Sequence, residues 1–335
     1  MGSALTMREF LPLPSTHTVT RFEGGSFHTE TRPLAPPAED EILLRLGAAA
    51  LTRDDLTGPL GTPVGEVAAV GDRVRGWEAL DRGLVLWDLL PAGMEPPREL
   101  PEYLRLTPAL LRCPAVRKIP LEMPSEDAVL AGALARAFRA WREAGVSPEG
   151  TLVVLGLDLV PLLTVLLARH HRAGTVIAAD HSPTRRRRAE WSRATRCIRL
   201  PEEPLFETVL GLTGGAGAGA AVLGSAAPAD FQEAAHSLGH GGRLVLTGDR
   251  TDGEPSHLAA DLIRNRELQV FGVRRADRKA ADAAFGGLRQ GLAGADTIVS
   301  KRLPWNELQT LSPDVWDEGT AVLVETGEPD PPVVI

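Results

Sequence analysis

The sequence predicts an α/β fold built from a β-rich part and a doubly wound parallel sheet. Up to about residue 118, short strand-like runs such as 41–46 and 65–72 are bounded by glycine, proline and aspartate. After residue 150, near-continuous apolar strands alternate with helices, as in a parallel sheet covered on both faces. The 335 residues are enough for two domains or for one large domain with an insertion.

A helix is predicted between the two parts, over residues 125–145. Its apolar residues recur at helical spacing, at positions 130, 133, 134, 137, 138 and 141. Ser125 has the chemistry of an N-cap, and Gly145 stands where a C-terminal cap glycine belongs.

The second part is predicted from the alternation of apolar runs. Strands are expected at 152–155, 175–179, 220–223, 242–248 and 268–273, with helices at 160–170, 183–193 and 231–237. After residue 276 we expect a helix, then a strand-like run over 296–303, then a strand over 320–325.

The turn that follows the first of these strands carries the most informative motif. A strand, a glycine turn and a helix open a dinucleotide-binding fold, whose turn uses three glycines. Here only Gly156 is present, because Asp158 and Pro161 occupy the second and third glycine positions. The second glycine lets the backbone touch a pyrophosphate at the helix N-terminus, and a carboxylate there repels that dianion. Alternatively, Asp158 caps the helix from within. The motif therefore indicates an altered nucleotide site.

Composition excludes several classes. A net charge of −8 argues against a nucleic-acid binder. Two cysteines cannot build a four-thiolate metal site and imply no disulfide framework. The first residues lack the apolar core of a signal peptide, and the longest apolar run, around 159–168, is too short to span a bilayer. We therefore expect a cytoplasmic protein that binds neither nucleic acid nor membrane.

Three stretches together resemble the medium-chain dehydrogenase/reductase superfamily. They are the V-G-E-V-x-x-V-G run at 64–71, the run from 150–156 to 178–183, and the L-x-x-G-G-R-x-V-x-x-G run at 238–248. The resemblance implies a GroES-like domain from residues 1–122 and 276–335 and a Rossmann-type domain over 123–275. It also implies an active site in the cleft between them and a homodimer or higher homo-oligomer.

The zinc ligands of that family are missing. Its metal-binding members supply a cysteine, a histidine and a glutamate or cysteine, at positions that correspond here to Thr52, the segment 61–63 and the helix around Gly132. None of these positions has the nitrogen or sulfur ligand that zinc requires. The four-cysteine lobe is replaced by the proline-rich segment 91–103. We predict no zinc and no other metal ligand.

The cofactor site keeps some features of the family and lacks others. Asp180 ends the second strand, where an acid binds the ribose hydroxyls and favours NAD over NADP. Alternatively, Asp180 caps the next helix together with Ser182 and Pro183. NAD(H) binding is thus left open. The candidate cofactor-binding residues are Gly156, Asp158, Asp180, Ser225 and Gly248.

Three further features have two interpretations each. The run Arg185–Arg188 is a phosphate-binding patch or a solvated face; consecutive helical residues point about 100° apart, which favours the solvated face. The glycine-rich run 214–219 lacks the lysine and hydroxyl of a phosphate loop and is expected to be a linker. Cys197 adjoins an apolar run and is expected in the core, not as a nucleophile.

The candidate catalytic residues surround the positions of the lost metal. They are Thr52, Asp54, Asp55, Thr62 and Glu66. Desolvated carboxylates there can act as general acids or bases, whereas Thr52 to Asp55 is also an ordinary helix-start sequence. Three functions remain open: a zinc-independent, NAD(P)-linked oxidoreductase of small-molecule metabolism, a non-redox enzyme of proton transfer, cyclisation or elimination, and a non-catalytic assembly partner.

Overall fold

The computed structural model describes residues 12–52, 61–224, 227–248, 260–312, 315 and 321–326. In these residues the strands are β1 (Thr16–Glu23), β2 (Ser26–Pro33), β3 (Ile42–Leu51), β4 (Thr62–Val70), β5 (Arg82–Val85), β6 (Glu99–Pro101), β7 (Tyr103–Leu106), β8 (Val116–Lys118), β9 (Thr151–Leu155), β10 (Thr175–Asp180), β11 (Arg196–Arg199), β12 (Ala218–Leu223), β13 (Leu238–Leu246), β14 (Gln269–Gly272), β15 (Lys301–Pro304) and β16 (Val322–Glu325). The helices are α1 (Pro108–Leu111), α2 (Ser125–Ala128), α3 (Ala131–Ala144), α4 (Leu159–His170), α5 (Pro183–Trp191), α6 (Leu205–Leu212), α7 (Pro228–His236), α8 (Ala260–Arg266), α9 (Arg278–Arg289) and α10 (Ala295–Ile298). Short 3-10 turns lie at Trp87–Leu89 and Trp305–Thr310.

The second part of the chain forms the predicted parallel sheet. Its strand order is β11-β10-β9-β12-β13-β14, and every pairing is parallel. Because side chains alternate along a strand, Leu152 and Val154 of β9 pack into one core with α3, α4 and α9, whereas Val153 and Leu155 pack into another with α6 and α7. Helices on both faces confirm the doubly wound α/β fold.

The first part forms two β-sheets. One has the order β15-β16-β3-β4-β5-β8 with β7 also paired to β3, and the other has the order β2-β1-β6. Strand β16 pairs antiparallel with β3, so the end of the described chain returns to the sheet near its beginning. This pairing agrees with a β-rich domain drawn from both ends of the chain, although the boundaries at 122 and 276 stay predictions.

The glycine of the V-G-E-V motif is required by strand packing. Gly65 of β4 lies opposite Leu46 of β3, beside a register shift between Leu46 and Ala48. A methyl group on Gly65 would overlap the carbonyl oxygen of Arg45 and would lie 2.8 Å from its carbonyl carbon. The two backbones can approach this closely only because position 65 has no side chain.

The predicted helix over 125–145 is divided into α2 and α3. Gly145 ends α3 with φ of 54° and donates its N–H to the Trp141 carbonyl, as expected for a C-terminal cap glycine. The N-cap prediction for Ser125 is wrong. Ser125 is the first residue of α2, its N-cap is Pro124, and its hydroxyl accepts a hydrogen bond from Arg82 at 2.6 Å.

The strand prediction over 296–303 is wrong in its first half. Residues 295–298 form α10, and only 301–304 form a strand. The carboxylate of Asp127 accepts a hydrogen bond from the Ala295 N–H at 2.7 Å. A carboxylate at the first turn stabilises a helix through the free N–H groups, and this distant contact cannot be seen in local periodicity.

Among the described residues, no helix combines the length and the apolar character that crossing a membrane would require.

Asp277 links α9 to α3 and supplies a testable pH dependence. Its carboxylate accepts the Ala280 N–H at 2.9 Å as the N-cap of α9 and also binds Arg142 of α3. The hydrogen bond from Arg142 lowers the pKa of Asp277 to about 2. The folded protein therefore binds this proton less tightly than the unfolded chain does. The resulting stabilisation is present above the unfolded pKa of about 4 and is lost as the pH falls through about 2.

We expect Asp277→Ala to lower the free energy of unfolding by about 1 kcal/mol at pH 7, since it removes a helix cap. The difference from wild type should shrink between about pH 4 and pH 2, as urea unfolding at several pH values would measure. Asp277→Ser is the matched control, because serine keeps a cap but carries no charge. A difference between wild type and Asp277→Ala that is constant down to pH 2 would contradict the ion-pair account.

Candidate functional site

A cleft lies where the β-rich sheet meets the carboxyl edge of the parallel sheet. On the first side it is lined by the ends of β3 and β4 and by the turn at Trp87–Leu89, and on the second by the β9–α4 turn and residues that follow β12 and β13. Helix α3 forms its floor. Its polar lining residues are Thr52, Thr62, Asp88, Arg136, Asp158 and Thr247. The enclosed space is about 50 Å³, enough for a few water molecules.

The structure brings together the three positions that the resemblance to the medium-chain superfamily assigns to zinc ligands. Thr52, Thr62 and Gly132 all line the cleft. The contact between the last two is so close that a methyl group on Gly132 would overlap the Thr62 hydroxyl oxygen. The side chain of Thr62 thus fills the space that a ligand side chain on α3 would need.

Of the other candidate catalytic residues, only Glu66 is among the described residues. Asp54 and Asp55 lie outside the described residues, as does the cofactor candidate Ser225. Glu66 is on β4 opposite Arg45 and Arg82 and is not among the described residues that line the cleft. Four residues along a strand carry it about 13 Å beyond Thr62, so its place in the sequence motif does not bring it to the cleft.

The carboxylate of Asp180 accepts backbone hydrogen bonds inside the protein. Its side chain is almost fully buried, and one carboxylate oxygen accepts the Leu157 N–H at 2.5 Å. The other accepts the Ser182 N–H at 2.7 Å. Gly156, with φ of 76°, makes the tight turn and donates to the Ala179 carbonyl at 3.0 Å. Asp180 therefore fixes the β9–α4 turn and the segment before α5, whose N-cap is Ser182.

Asp158 does not cap α4, so the alternative in which its carboxylate caps the helix is wrong. It occupies the N-cap position, but its side chain makes no capping hydrogen bond. Its carboxylate instead lies 2.7 Å from the guanidinium of Arg185, which is also 3.9 Å from the carboxylate of Asp180. An ion pair with a guanidinium is stronger than a neutral-donor hydrogen bond, which explains the orientation. The lining of the cleft still includes Asp158 and Gly248.

The arginine run is not the solvated face that the sequence favoured. Besides the pairing of Arg185, Arg186 donates to the carbonyls of Asp180 and His181 at 2.8 Å each. Arg188 is buried, donates to the Thr297 carbonyl at 3.0 Å, and has its pKa lowered by that burial. Residues 185 and 188 share a helix face because they are three residues apart. Only Arg187 of the four is exposed.

In a dinucleotide-binding turn, the third glycine lets the helix pack closely against a strand. Here a proline stands in the helix, and the glycine at the close contact follows β12. Pro161 in α4 packs on Gly224, which follows β12, so tightly that a methyl group on Gly224 would overlap the proline ring. A methyl group on Gly248 would in turn overlap the Gly224 carbonyl oxygen. The two glycines accept the proline and keep the backbone bare at the edge of the cleft.

Sequence reasoning missed the pair Asp88–Arg136. Arg136 of α3 donates to the Asp88 carboxylate at 2.9 Å, and the same oxygen accepts the Ala276 N–H at 2.9 Å. Asp88 belongs to the β-rich part, whereas Ala276 follows the parallel sheet, so one carboxylate joins the two sides of the cleft. Asp88 stands between two apolar residues and fits no motif that could have identified it.

Cys197 is half-buried in the described structure. Burial raises the pKa of Cys197 to about 11, so its thiol stays protonated and unreactive at neutral pH. Within the described ranges, no three histidine, cysteine, aspartate or glutamate side chains are grouped so that they could hold a metal ion.

Comparison with known proteins finds dehydrogenases that are similar to this chain. The zinc-binding dehydrogenase family matches residues 160–286. Sorbitol dehydrogenase of Bacillus subtilis is 27% identical over 298 residues, covering 78% of this chain and 84% of the relative.

Solved structures give the same fold. A zinc-binding dehydrogenase from Sinorhizobium meliloti bound to NADP has a TM-score of 0.77 and 21% identity, covering 93% of this chain and 100% of its own. An alcohol dehydrogenase from E. coli complexed with NADH also has a TM-score of 0.77, with 19% identity and the same coverage. These matches and the two-part fold support the resemblance of the chain to the medium-chain dehydrogenase/reductase superfamily, whose members have this fold.

Proposed function

We propose that the protein is a zinc-independent, nicotinamide-linked oxidoreductase that acts on a small molecule in the described cleft. The observation that carries the proposal is the contact between Thr62 and Gly132, two positions that the resemblance assigns to metal ligands. Zinc needs three protein ligands, most often nitrogen or sulfur. Thr52 and Thr62 offer only hydroxyl oxygens, and the Asp88 carboxylate already accepts two hydrogen bonds. The donor set in the described cleft therefore does not fit zinc.

The nucleotide site fits a dinucleotide in part. The first turn of α4 offers an anion the N–H groups of Leu159 and Val160 only, because Pro161 has none. Arg185 lies beside this turn with a guanidinium suited to phosphate. Gly224 and Gly248 leave bare backbone at the edge of the cleft. Against binding, Asp158 presents a carboxylate at the same turn. A pyrophosphate would have to replace Asp158 as the partner of Arg185, and the cleft would have to open.

The residues of the cleft suit carbonyl chemistry without metal. A bound nicotinamide would supply or accept the hydride. The hydroxyls of Thr52 and Thr62 line the cleft and would hydrogen-bond the substrate oxygen, and Thr52 would pass the proton between that oxygen and solvent. Asp88 and Arg136 would hold the two sides of the cleft together, because Asp88 also accepts the Ala276 N–H. The apolar walls, among them Leu86, Leu159 and Val160, exclude water from the reacting atoms.

Titration calorimetry with NADH and NADPH tests this proposal. We expect the wild type to bind weakly and Asp158→Asn to bind about tenfold more tightly, since one like-charge contact is removed and Arg185 is freed. Asp72→Asn, which changes an exposed carboxylate away from the cleft, is the charge-matched control. Absence of binding at millimolar cofactor in both the wild type and Asp158→Asn would rule out the redox function.

The second candidate function is a non-redox enzyme. It is favoured because residues of the predicted nucleotide site bind one another. The Asp180 carboxylate already accepts hydrogen bonds from the Leu157 and Ser182 N–H groups, and Arg185 already forms an ion pair with Asp158. In this case the cleft performs proton transfer, cyclisation or elimination without nicotinamide, and Asp158→Asn gains no affinity for NADH. A concave cleft with apolar walls and a few polar side chains favours either enzyme over an assembly partner.

We also propose a cytoplasmic homo-oligomer that binds neither nucleic acid nor membrane. Both cysteines are free, as in reducing compartments. Among the described strands, β14 is the last of the parallel sheet, and it exposes Val270. An edge strand of this kind can pair with a second copy of the chain.

A further inference from the structure

The described lining of the cleft contains one basic side chain. Arg136 of α3 lines the cleft together with Thr52 and Thr62. A carbonyl oxygen becomes negative when a hydride adds to its carbon, and groups aimed at that oxygen are most effective when they carry a positive charge. The two hydroxyls offer only neutral hydrogen bonds, whereas a guanidinium has the charge that a metal ion would otherwise supply.

The position of Arg136 on α3 brings it near the two threonines. Gly132 and Arg136 are four residues apart, so they share a face of the helix, with about 6 Å between their Cβ positions. A Cβ atom on Gly132 would overlap the Thr62 hydroxyl oxygen. The Arg136 side chain therefore begins one helical turn from that hydroxyl, within the length of an arginine side chain.

Asp88 orients the guanidinium through one of its donors. The Nε atom of Arg136 donates to the Asp88 carboxylate at 2.9 Å, and the same oxygen accepts the Ala276 N–H. A guanidinium has five N–H donors in a planar fork. One carboxylate oxygen on Nε thus fixes the plane of the fork, and it does not use up the capacity of the guanidinium to donate to a second acceptor.

The pair is shielded from water. The side chain of Asp88 is 11% exposed and that of Arg136 is 26% exposed. Leu86, Val129 and Val160 add apolar surface to the same lining. Charges interact more strongly where water is scarce, so a guanidinium here acts more strongly on a nearby oxygen than one on the surface does.

We propose that Arg136 takes the place of the metal as the cation that stabilises the substrate oxygen. The inference rests on the proposed oxidoreductase function, with Arg136 as a catalytic residue and Asp88 as its positioning residue. When a hydride from bound nicotinamide adds to the carbonyl carbon, the π electron pair of the C=O bond moves onto the oxygen. The guanidinium donates to this oxygen until a proton reaches it through Thr52. The reverse sequence oxidises an alcohol.

Titration calorimetry with acetate, and with acetamide as its neutral analogue, tests the proposal on the full-length protein in the absence of nicotinamide. Acetate carries its negative charge on oxygen and is small enough for the enclosed space of about 50 Å³. Wild type should bind acetate saturably and about tenfold more tightly than acetamide, as one charge-assisted hydrogen bond predicts.

Three variants separate the roles of the pair. Arg136→Gln should abolish the preference for acetate. Arg136→Lys should keep part of it, because the charge remains but the planar fork is lost. Asp88→Asn should bind acetate severalfold more tightly than wild type, since a neighbouring negative charge is removed while the amide oxygen can still accept from Arg136. A purely structural role of Asp88 predicts weaker binding instead.

Arg139→Gln is the matched control. Arg139 lies on the same helix and donates to the Arg275 carbonyl at 2.6 Å, but it is not among the described residues that line the cleft. This variant should bind acetate as wild type does. Circular dichroism verifies that each variant is folded.

Two results would overturn the proposal: no saturable binding of acetate to the wild type, or a preference for acetate that Arg136→Gln leaves unchanged. If Arg136→Gln fails to fold, Arg136→Lys and Asp88→Asn decide the question, and unchanged affinity in both overturns the proposal. Because these titrations contain no nicotinamide, a failure to bind NADH removes the redox function without altering them, whereas a failure to bind acetate removes only the role of Arg136.

Discussion

Replacing Asp180 with alanine is expected to destabilise the protein by roughly 3–5 kcal/mol, the range for removing one partner of a buried charged network. The substitution leaves the buried Leu157 N–H without its acceptor and removes the acceptor of the Ser182 N–H. It also leaves Arg185, which is 3.9 Å from Asp180, with one carboxylate fewer nearby. The β9–α4 turn then loses the contact that ties it to the end of β10.

Urea unfolding of Asp180→Ala measures this effect. Asp180→Asn is the matched variant, because its amide oxygen still accepts one of the two hydrogen bonds, and its loss should be intermediate. If Asp180→Ala stays within about 1 kcal/mol of wild type, the carboxylate is not needed to hold the turn, and its role would be ligand binding alone.

Replacing Gly65 with alanine is expected to cost about 3 kcal/mol, near the upper end for overpacking, since the new methyl group meets backbone atoms that cannot rotate away. The overlap is with the Arg45 carbonyl of the neighbouring strand, so β3 and β4 must separate. Thermal and urea unfolding measure the loss.

Gly219→Ala is the control for Gly65→Ala. Gly219 also lies within a strand, β12, but it is exposed and a methyl group there meets only the Thr151 carbonyl oxygen, at 3.7 Å. We expect its stability to stay within about 0.5 kcal/mol of wild type. Equal stabilities of the two alanine variants would show that the motif glycine is not kept for packing.

The sequence predicted those parts of the fold that depend on local patterns. The strand over 152–155 is a run of apolar residues buried on both faces, and Gly145 ends α3 because a left-handed residue is needed there. The N-terminus of α10 could not be predicted, since the carboxylate that supports it belongs to Asp127, 168 residues away. Periodicity reports which face of an element is buried, but not which element meets it.

The same distinction applies to the candidate site. The resemblance to the family predicted the region in which Thr52, Thr62 and Gly132 meet. It could not predict the partner of Asp158, because Arg185 comes from another helix and the arginine run alone suggests only a charged surface. Nor did any pattern indicate Asp88, whose two donors come from α3 and from the segment before α9.

The contact between Thr62 and Gly132 couples the two positions. A side chain introduced at position 132 meets the Thr62 hydroxyl, which must turn away to make room for it. A smaller residue at position 62 would remove that overlap beforehand. The effect of a substitution at position 132 therefore depends on the residue at position 62, so substitutions at these two positions are not expected to be additive.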